Sequence, residues 1–160
     1  MKATISIIIA VLISVSMLAG NPVKIYKGTS VYSSDVICNV SNSKLYKKNS
    51  IYTSDVVCNI RDGKIYKANS IYTSDVIFTI RDGKVYSGTS VYTSDIVMTI
   101  RDGKIYNGTS VYTSDIIATV RDGKVYKGTS VYSSDILFTI NGYLTIEEFV
   151  AVWYMVFYVW

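Results

Sequence analysis

A unit of 20 residues repeats six times between Asn21 and Ile140, with very few changes from copy to copy. The fourth copy, residues 81–100, reads RDGKVYSGTSVYTSDIVMTI. Repeats of this length are typical of rings, propellers and solenoids, in which each unit packs only on its neighbours. The repeat therefore excludes a mixed globule and constrains the fold more than any other feature of the chain.

Each unit predicts a β-hairpin. An Asp-Gly pair between apolar β-formers is the strongest short hairpin signal, and it occurs at 62–63, 82–83, 102–103 and 122–123. One such hairpin would join a strand from Ile96 to Ile100 to a second strand from Lys104 to Asn107. The residues from Thr109 to Asp115 are typical of a connection to the next unit. Six units thus predict about twelve strands.

One position within the first strand varies in size. Alternate residues of a strand share a face, so its first, third and fifth positions should point the same way. The first and fifth positions are Val or Ile in every copy, whereas the third ranges from Ala to Phe. Such variation indicates contact with something that does not repeat. The first positions are Val36, Val56, Val76, Ile96, Ile116 and Ile136, and the third positions, the belt, are Cys38, Cys58, Phe78, Met98, Ala118 and Phe138.

The last 18 residues, 143–160, form the apolar segment that the repeat lacks. Thr145 and Glu148 have the spacing of a capping box, and the chain from Phe149 onward carries no charge. The segment predicts a helix from Ile146 to Trp160 that is apolar all round and must be buried on every side. A buried strand and a membrane span are the alternatives, but a span needs ~20 apolar residues.

These features together predict a mainly β fold. Residues 21–142 form a closed antiparallel barrel of about twelve strands, and 143–160 form its buried central hydrophobic helix, in one domain. Closure removes the sheet edges and explains why neither terminal repeat resembles the polar cap of a solenoid.

Residues 1–20 predict a signal peptide. Lys2 precedes an apolar run from Ile5 to Leu18, and Ala19-Gly20 is a small-residue exit suited to cleavage. An uncleaved N-terminal membrane anchor is the alternative. Both readings place the barrel outside the cytoplasm, in the periplasm, on the cell surface or in the medium.

The tandem motif IYxG-[TN]-S-[VI]-Y-[TS]-S-D, followed by a hydrophobic helix, resembles small bacterial repeat proteins described as β-flowers. Their fold is similar to the Tubby C-terminal domain, which implies a twelve-stranded barrel around a C-terminal helix. Tubby-like domains are associated with phosphoinositides and membranes. The lysines here are distributed around the ring instead of forming one basic pocket, so the resemblance assigns phosphoinositide binding to no residue.

Cys38 and Cys58 occupy equivalent sites in adjacent repeats. In a barrel one strand lies between them, so they should be about 9–10 Å apart, too far for a disulfide. We therefore expect free, buried thiols. A stacked solenoid would instead bring them within bonding range.

Three further rings recur. The Asp ring suggests turns in which each carboxylate accepts local backbone hydrogen bonds, because six carboxylates on a wide ring cannot share a calcium ion. The two Tyr rings suggest cross-strand packing or, if exposed, platforms for a glycan or a membrane interface. The Asp ring is Asp35, Asp55, Asp75, Asp95, Asp115 and Asp135; the first Tyr ring is Tyr26, Tyr46, Tyr66, Tyr86, Tyr106 and Tyr126; the second is Tyr32, Tyr52, Tyr72, Tyr92, Tyr112 and Tyr132.

Lys and Arg residues flank the Asp-Gly turns and predict one rim of mixed charge, either simply solvated or in contact with anionic lipid or polymer. These residues are Lys24, Lys44, Lys64, Lys84, Lys104, Lys124, Arg61, Arg81, Arg101 and Arg121.

No catalytic constellation is recognisable. The chain has no His, no phosphate-binding loop and no nucleophile paired with a base, so we expect no enzyme, no cofactor and no metal site. The net charge of +4 is spread out and does not suggest nucleic acid. We expect a monomeric, exported structural or binding barrel that contacts membrane lipid or an envelope polymer. The alternative is a cell-wall or glycan-binding module similar to choline-binding repeats.

Overall fold

The computed structural model describes residues 21–160; the predicted signal segment, 1–20, lies outside the described residues. Twelve short strands are followed by one helix. They are β1 (Val23–Lys27), β2 (Val36–Ser41), β3 (Lys44–Lys47), β4 (Val56–Arg61), β5 (Lys64–Lys67), β6 (Val76–Arg81), β7 (Lys84–Ser87), β8 (Ile96–Arg101), β9 (Lys104–Asn107), β10 (Ile116–Arg121), β11 (Lys124–Lys127), β12 (Ile136–Asn141) and α1 (Ile146–Tyr154).

The Asp-Gly pairs form the predicted hairpin turns. Asp102 has a φ of 52° and Gly103 a φ of 70°. Two successive positive φ angles give the turn whose twist matches that of the flanking strands. The first hairpin achieves the same geometry without glycine, because Asn42 and Ser43 have φ angles of 50° and 56°.

The sheet closes on itself, as predicted. Every strand pairs antiparallel with its neighbours in the chain, and β1 pairs with β12 to complete the ring. Within that last pair Ile25 lies opposite Ile140 and Lys27 opposite Phe138. The ring therefore leaves no exposed edge to recruit another strand.

A β-bulge shifts the face of the first position in each long strand. In the pairing of β3 with β4, Leu45 lies opposite Cys58 and Tyr46 opposite Val56, so Val57 is an extra residue. Val56 therefore faces outward with Tyr46, and Val57 joins the inner core. The prediction that the first position shares the inner face was wrong, and the same holds for Val36, Val76, Ile96, Ile116 and Ile136, which all lie outside the core cluster.

The helix begins as the sequence predicts. The Thr145 side chain accepts a hydrogen bond from the Glu148 amide at 3.2 Å, and the Glu148 carboxylate accepts one from the Thr145 amide at 2.9 Å. This reciprocal capping box satisfies two amides that would otherwise lack partners. The result is a helix that starts at Ile146 and excludes the alternative of a buried strand.

The far end of the helix differs from the prediction. Regular α-helix ends at Tyr154 and a π-helical turn covers Met155–Val159. Tyr158 and Trp160 are 68% and 61% exposed, so the segment is not buried on every side. Six-residue strands tilted by ~40° make a wall only about 15 Å high, whereas fifteen helical residues span about 22 Å. The helix is longer than the barrel wall is high, so its last turn protrudes from the barrel.

The core lies between the helix and the wall. Val150, Ala151 and Val152 are fully buried there. The helix is off-centre, because its contacts with the wall concentrate on β3, β4 and β5. Belt residues pack in the same cluster, so the barrel is filled by side chains from both elements.

Candidate functional site

The barrel has two chemically different rims. The turn rim carries the hairpin turns, the first described residue, Asn21, and the start of α1. The loop rim carries the connections between repeats, such as residues 28–35, and the end of the helix. Each connection includes a short 3₁₀ turn, for example Thr113–Asp115.

Six exposed apolar pairs project from the loop rim. In each connection a Val or Ile precedes a Tyr of the second ring, and those tyrosines are 71–73% exposed. The first Tyr ring is buried except for the half-buried Tyr126, so packing describes that ring and not the second. We call the exposed set the crown: Val31, Tyr32, Ile51, Tyr52, Ile71, Tyr72, Val91, Tyr92, Val111, Tyr112, Val131 and Tyr132.

A serine holds each loop so that its apolar pair faces outward. The Ser110 hydroxyl donates to the Asp115 carboxylate at 2.5 Å and accepts from the Tyr112 amide at 3.1 Å. The Asp115 amide donates to the Tyr112 carbonyl at 3.0 Å. All six loops repeat this arrangement. The prediction that the Asp carboxylates accept backbone hydrogen bonds was wrong. Each carboxylate instead accepts one from the hydroxyl of the serine five residues earlier.

The helix end adds four more exposed side chains at the same rim. Phe157 and Val159 are 43% and 41% exposed, and Tyr158 and Trp160 are more exposed still. Phe157 packs against the buried Trp153, with ring centroids 4.2 Å apart and the ring planes tilted by 36°. We call Phe157–Trp160 the tail. The crown and the tail therefore lie at the same rim of the barrel.

The belt lies in the core around the helix. Phe138 and Phe149 have ring centroids 6.3 Å apart, and Phe78 meets Tyr154 edge-on at 6.0 Å. Cys38, Cys58, Met98 and Ala118 are all buried in the same cluster as the helix residues. The belt therefore packs against the helix, with five of its side chains buried and Phe78 half-buried.

The two cysteines are free and buried, as the strand spacing predicts. Burial raises the pKa of the Cys58 thiol to about 12. The pKa of Cys38 is also raised, first by burial and then by the nearby Cys58. Thiols that stay protonated at neutral pH are poor nucleophiles and poor metal ligands. In the described part of the chain, no group of three or more Cys, Asp or Glu side chains is placed to hold a metal ion.

The turn rim is charged and solvated. Arg61 lies 3.1 Å from Asp62, and equivalent pairs follow at Arg101–Asp102 and Arg121–Asp122. Their side chains are 62–86% exposed, so these pairs contribute little to stability. A cleft of about 460 Å³ also opens at this rim, where the off-centre helix leaves Ile100, Val120 and Ile140 uncovered.

Sequence reasoning did not predict that the crown and the tail lie at the same rim, because the exposure of each tyrosine depends on how its loop folds. A signal nevertheless exists: every even-numbered strand ends at the turn rim, so a helix following β12 must cross the barrel and end at the loop rim. Between residues 21 and 160, no helix is both long and apolar enough to cross a bilayer.

The fold and its rims define a closed barrel of six hairpin repeats, plugged by its own C-terminal helix. Residues 25–153 match the family model of the 6-fold beta flower proteins, and the chain belongs to that family. No curated protein and no solved structure matches the chain. The family match does not support the likeness to the Tubby domain.

Proposed function

We propose that this protein is a non-enzymatic, exported barrel that contacts membrane lipid through its loop rim. The observation that carries the proposal is the separation of surfaces. Most of the exposed aromatic and aliphatic side chains belong to the crown and tail, whereas the turn rim combines paired charges with two exposed apolar side chains, Tyr143 and Ile146. Large exposed apolar patches on soluble domains usually mark an interaction site.

The composition of this surface suits a lipid interface. Tyr and Trp place an apolar ring in the acyl boundary and a polar group at the head groups, and they are enriched at that depth in membrane proteins. Six Val or Ile side chains, 50–69% exposed, stand beside the tyrosines. Transfer of such side chains from water into lipid lowers the free energy, because each apolar Å² removed from water contributes about 25 cal/mol.

The position of the N-terminal end of the barrel bears on how the crown could face a membrane. Asn21 lies at the turn rim, opposite the crown. If residues 1–20 stayed in a bilayer as an anchor, the crown would face away from that bilayer. Lipid contact by the crown therefore agrees with a cleaved signal peptide, and mass spectrometry of the exported protein would distinguish cleavage after Ala19 or Gly20 from an intact N-terminus.

A second candidate is a glycan-binding module. The observation in its favour is that the six second-ring tyrosines are equally exposed at equivalent sites, which gives repeated stacking platforms for sugar rings. Choline-binding repeats are rich in Trp, however, and no Trp precedes Trp153 in this chain.

Co-sedimentation with phosphatidylcholine vesicles and with purified peptidoglycan separates the two. Lipid contact predicts vesicle binding with a blue shift of Trp160 fluorescence, while the buried Trp153 changes little. The triple variant Tyr52→Ser/Tyr92→Ser/Tyr132→Ser should bind vesicles about tenfold or more weakly, since ~1.4 kcal/mol of lost apolar transfer suffices.

The matched control is Tyr143→Ser, because Tyr143 is 95% exposed but lies at the turn rim. It should bind vesicles like the parent. Retention on peptidoglycan without vesicle binding would favour the glycan-binding module. Binding to neither would overturn both candidates and leave a structural role.

A further inference from the structure

Six side chains surround the barrel mouth at the loop rim, just inside the crown. Lys47 pairs in register with the belt residue Cys38, and Lys67 pairs with Cys58. Residues directly opposite in a pair share a face of the sheet, so these lysines lie on the inner side of the mouth. The mouth positions are Lys27, Lys47, Lys67, Ser87, Asn107 and Lys127, each opposite a belt residue.

Charge is uneven around this mouth. The four lysines occupy consecutive repeat positions on β11, β1, β3 and β5, whereas Ser87 and Asn107 occupy β7 and β9. The helix packs on β3–β5, so the tail emerges within the basic half. On the neutral half the bulge residues Val97 and Ile117 are 39% and 38% exposed. The mouth thus has a basic half and an apolar half.

Lys48 adds a fifth cation to the basic half at a conformational cost. Its φ is +50°, in the left-handed region that disfavours side chains. Four of the six repeats place glycine at the same site: Gly28, Gly88, Gly108 and Gly128. The third repeat has Ala68 there with a φ of 53°, so the site accepts a side chain at some conformational cost, and Lys48 is the residue that adds a charge there.

The helix end accounts for only part of this charge. No basic residue lies in the last turn of α1, so the helix itself supplies no positive charge at its negative end. That end is equivalent to about half an elementary charge, which five ammonium groups exceed. In the described part of the chain none of the five forms an ion pair. The loop carboxylates accept hydrogen bonds from serine hydroxyls and keep their negative charge, so in the basic half five lysines stand against four aspartates, Asp35, Asp55, Asp75 and Asp135.

A small cavity joins the charges to the tail. It has a volume of about 260 Å³ and is lined by Ile37, Met155, Trp160, Lys47 and Lys48. Its walls are almost wholly apolar, so Lys47 and Lys48 line it through the apolar parts of their side chains. This arrangement suits an amphiphile whose anionic head group lies at the lysines and whose chain lies against the apolar side chains.

We propose that the basic half of the mouth binds the anionic head groups of bilayer lipids, so that the barrel selects anionic over zwitterionic membranes. The proposal rests on lipid contact by the crown and adds the lipid class. Charge complementarity carries it, together with the left-handed Lys48 and the apolar cavity beside it. A juxtamembrane lysine contributes about fivefold in affinity for an anionic surface, and salt weakens the effect.

The test uses vesicles of phosphatidylcholine alone and of phosphatidylcholine with phosphatidylglycerol, at low and high salt. The full-length protein should bind the anionic vesicles more tightly, and salt should reduce that advantage. Lys47→Gln/Lys48→Gln should lose about 25-fold on anionic vesicles and little on zwitterionic ones. The matched control Lys104→Gln/Lys124→Gln removes the same charge from exposed or half-buried side chains at the turn rim and should change neither.

Two further variants keep the test independent of folding defects. Lys48→Gly relieves the left-handed strain, so it should melt at a higher temperature yet bind anionic vesicles about fivefold more weakly. Ser87→Lys/Asn107→Lys completes the cationic ring and should bind them about 25-fold more tightly.

Equal binding to the two vesicle types, with loss of binding in the crown variant, would overturn the anionic preference and leave lipid contact intact. No binding to either type would overturn both proposals. If free phosphate at millimolar concentration abolished the preference, the site would be one for soluble anions and the bilayer assignment would be wrong.

Discussion

Exchanging two belt residues tests whether the belt is shaped to the helix. The double variant Cys58→Phe/Phe138→Cys keeps the composition and total side-chain volume of the belt. Cys58 lies on β4, against which the helix packs, and Phe138 lies on β12 beside Phe149. Because the repeats are equivalent, a belt that merely fills space would accept the exchange.

The structure predicts a large loss of stability instead. Both residues are fully buried, with 0% exposure. Removing most of the Phe138 ring leaves a cavity that costs about 3 kcal/mol. Inserting a ring at Cys58, where the helix is close, overpacks the core at a cost of about 2 kcal/mol. The two sites lie four strands apart around the ring, so their costs should add to about 5 kcal/mol.

Urea denaturation followed by Trp153 fluorescence, with reductant present, measures this cost. A domain of this size has about 5–15 kcal/mol of stability, so the exchange should lower the midpoint sharply. The single variants are the controls and should give about 3 and 2 kcal/mol. If the double variant were as stable as the parent, or more stable than either single variant, the belt would not be fitted to an off-centre helix.

Two further predictions concern the loops and the thiols. Ser110→Ala and Asp115→Ala should each cost about 1 kcal/mol, and the double variant little more than one of them, because a single hydrogen bond joins the two side chains; additive losses in thermal unfolding would refute the pairing. Cys38 and Cys58 should resist thiol reagents in the native protein and react fully in denaturant. Since burial raises their pKa values, the fold favours the protonated thiols, and stability should fall as pH rises above the ordinary thiol pKa of 9.0 towards the folded Cys58 value of about 12. A stability that is flat across that interval would contradict the burial of the thiols.

Most of the architecture could be predicted from local chemistry. The Asp-Gly pairs determine the hairpins, and Thr145 with Glu148 determines where the helix begins. The number of repeats and the apolar segment 143–160 then indicate a barrel that closes around a C-terminal helix. Each of these predictions depends on a few neighbouring residues, and the structure confirms it because tertiary packing does not change that local geometry.

The errors arose where neighbouring residues have the same polarity. Val56, Val57 and Cys58 are all apolar, so the sequence gives no sign of which is the extra residue of the bulge. The emergence of Tyr158 and Trp160 depends on strand tilt, which no residue pattern encodes. The exposure of the second Tyr ring depends on the Ser–Asp bonds of the loops, which override strand alternation.

The off-centre helix also limits how such a protein can vary in length. Adding or losing one 20-residue copy would change the circumference of the barrel by two strands, while the diameter of the helix would stay the same. A wider ring would leave voids around it and a narrower one could not enclose it. Each copy could be duplicated without disturbing its own hairpin. The single C-terminal helix, however, fits only a barrel of six repeats.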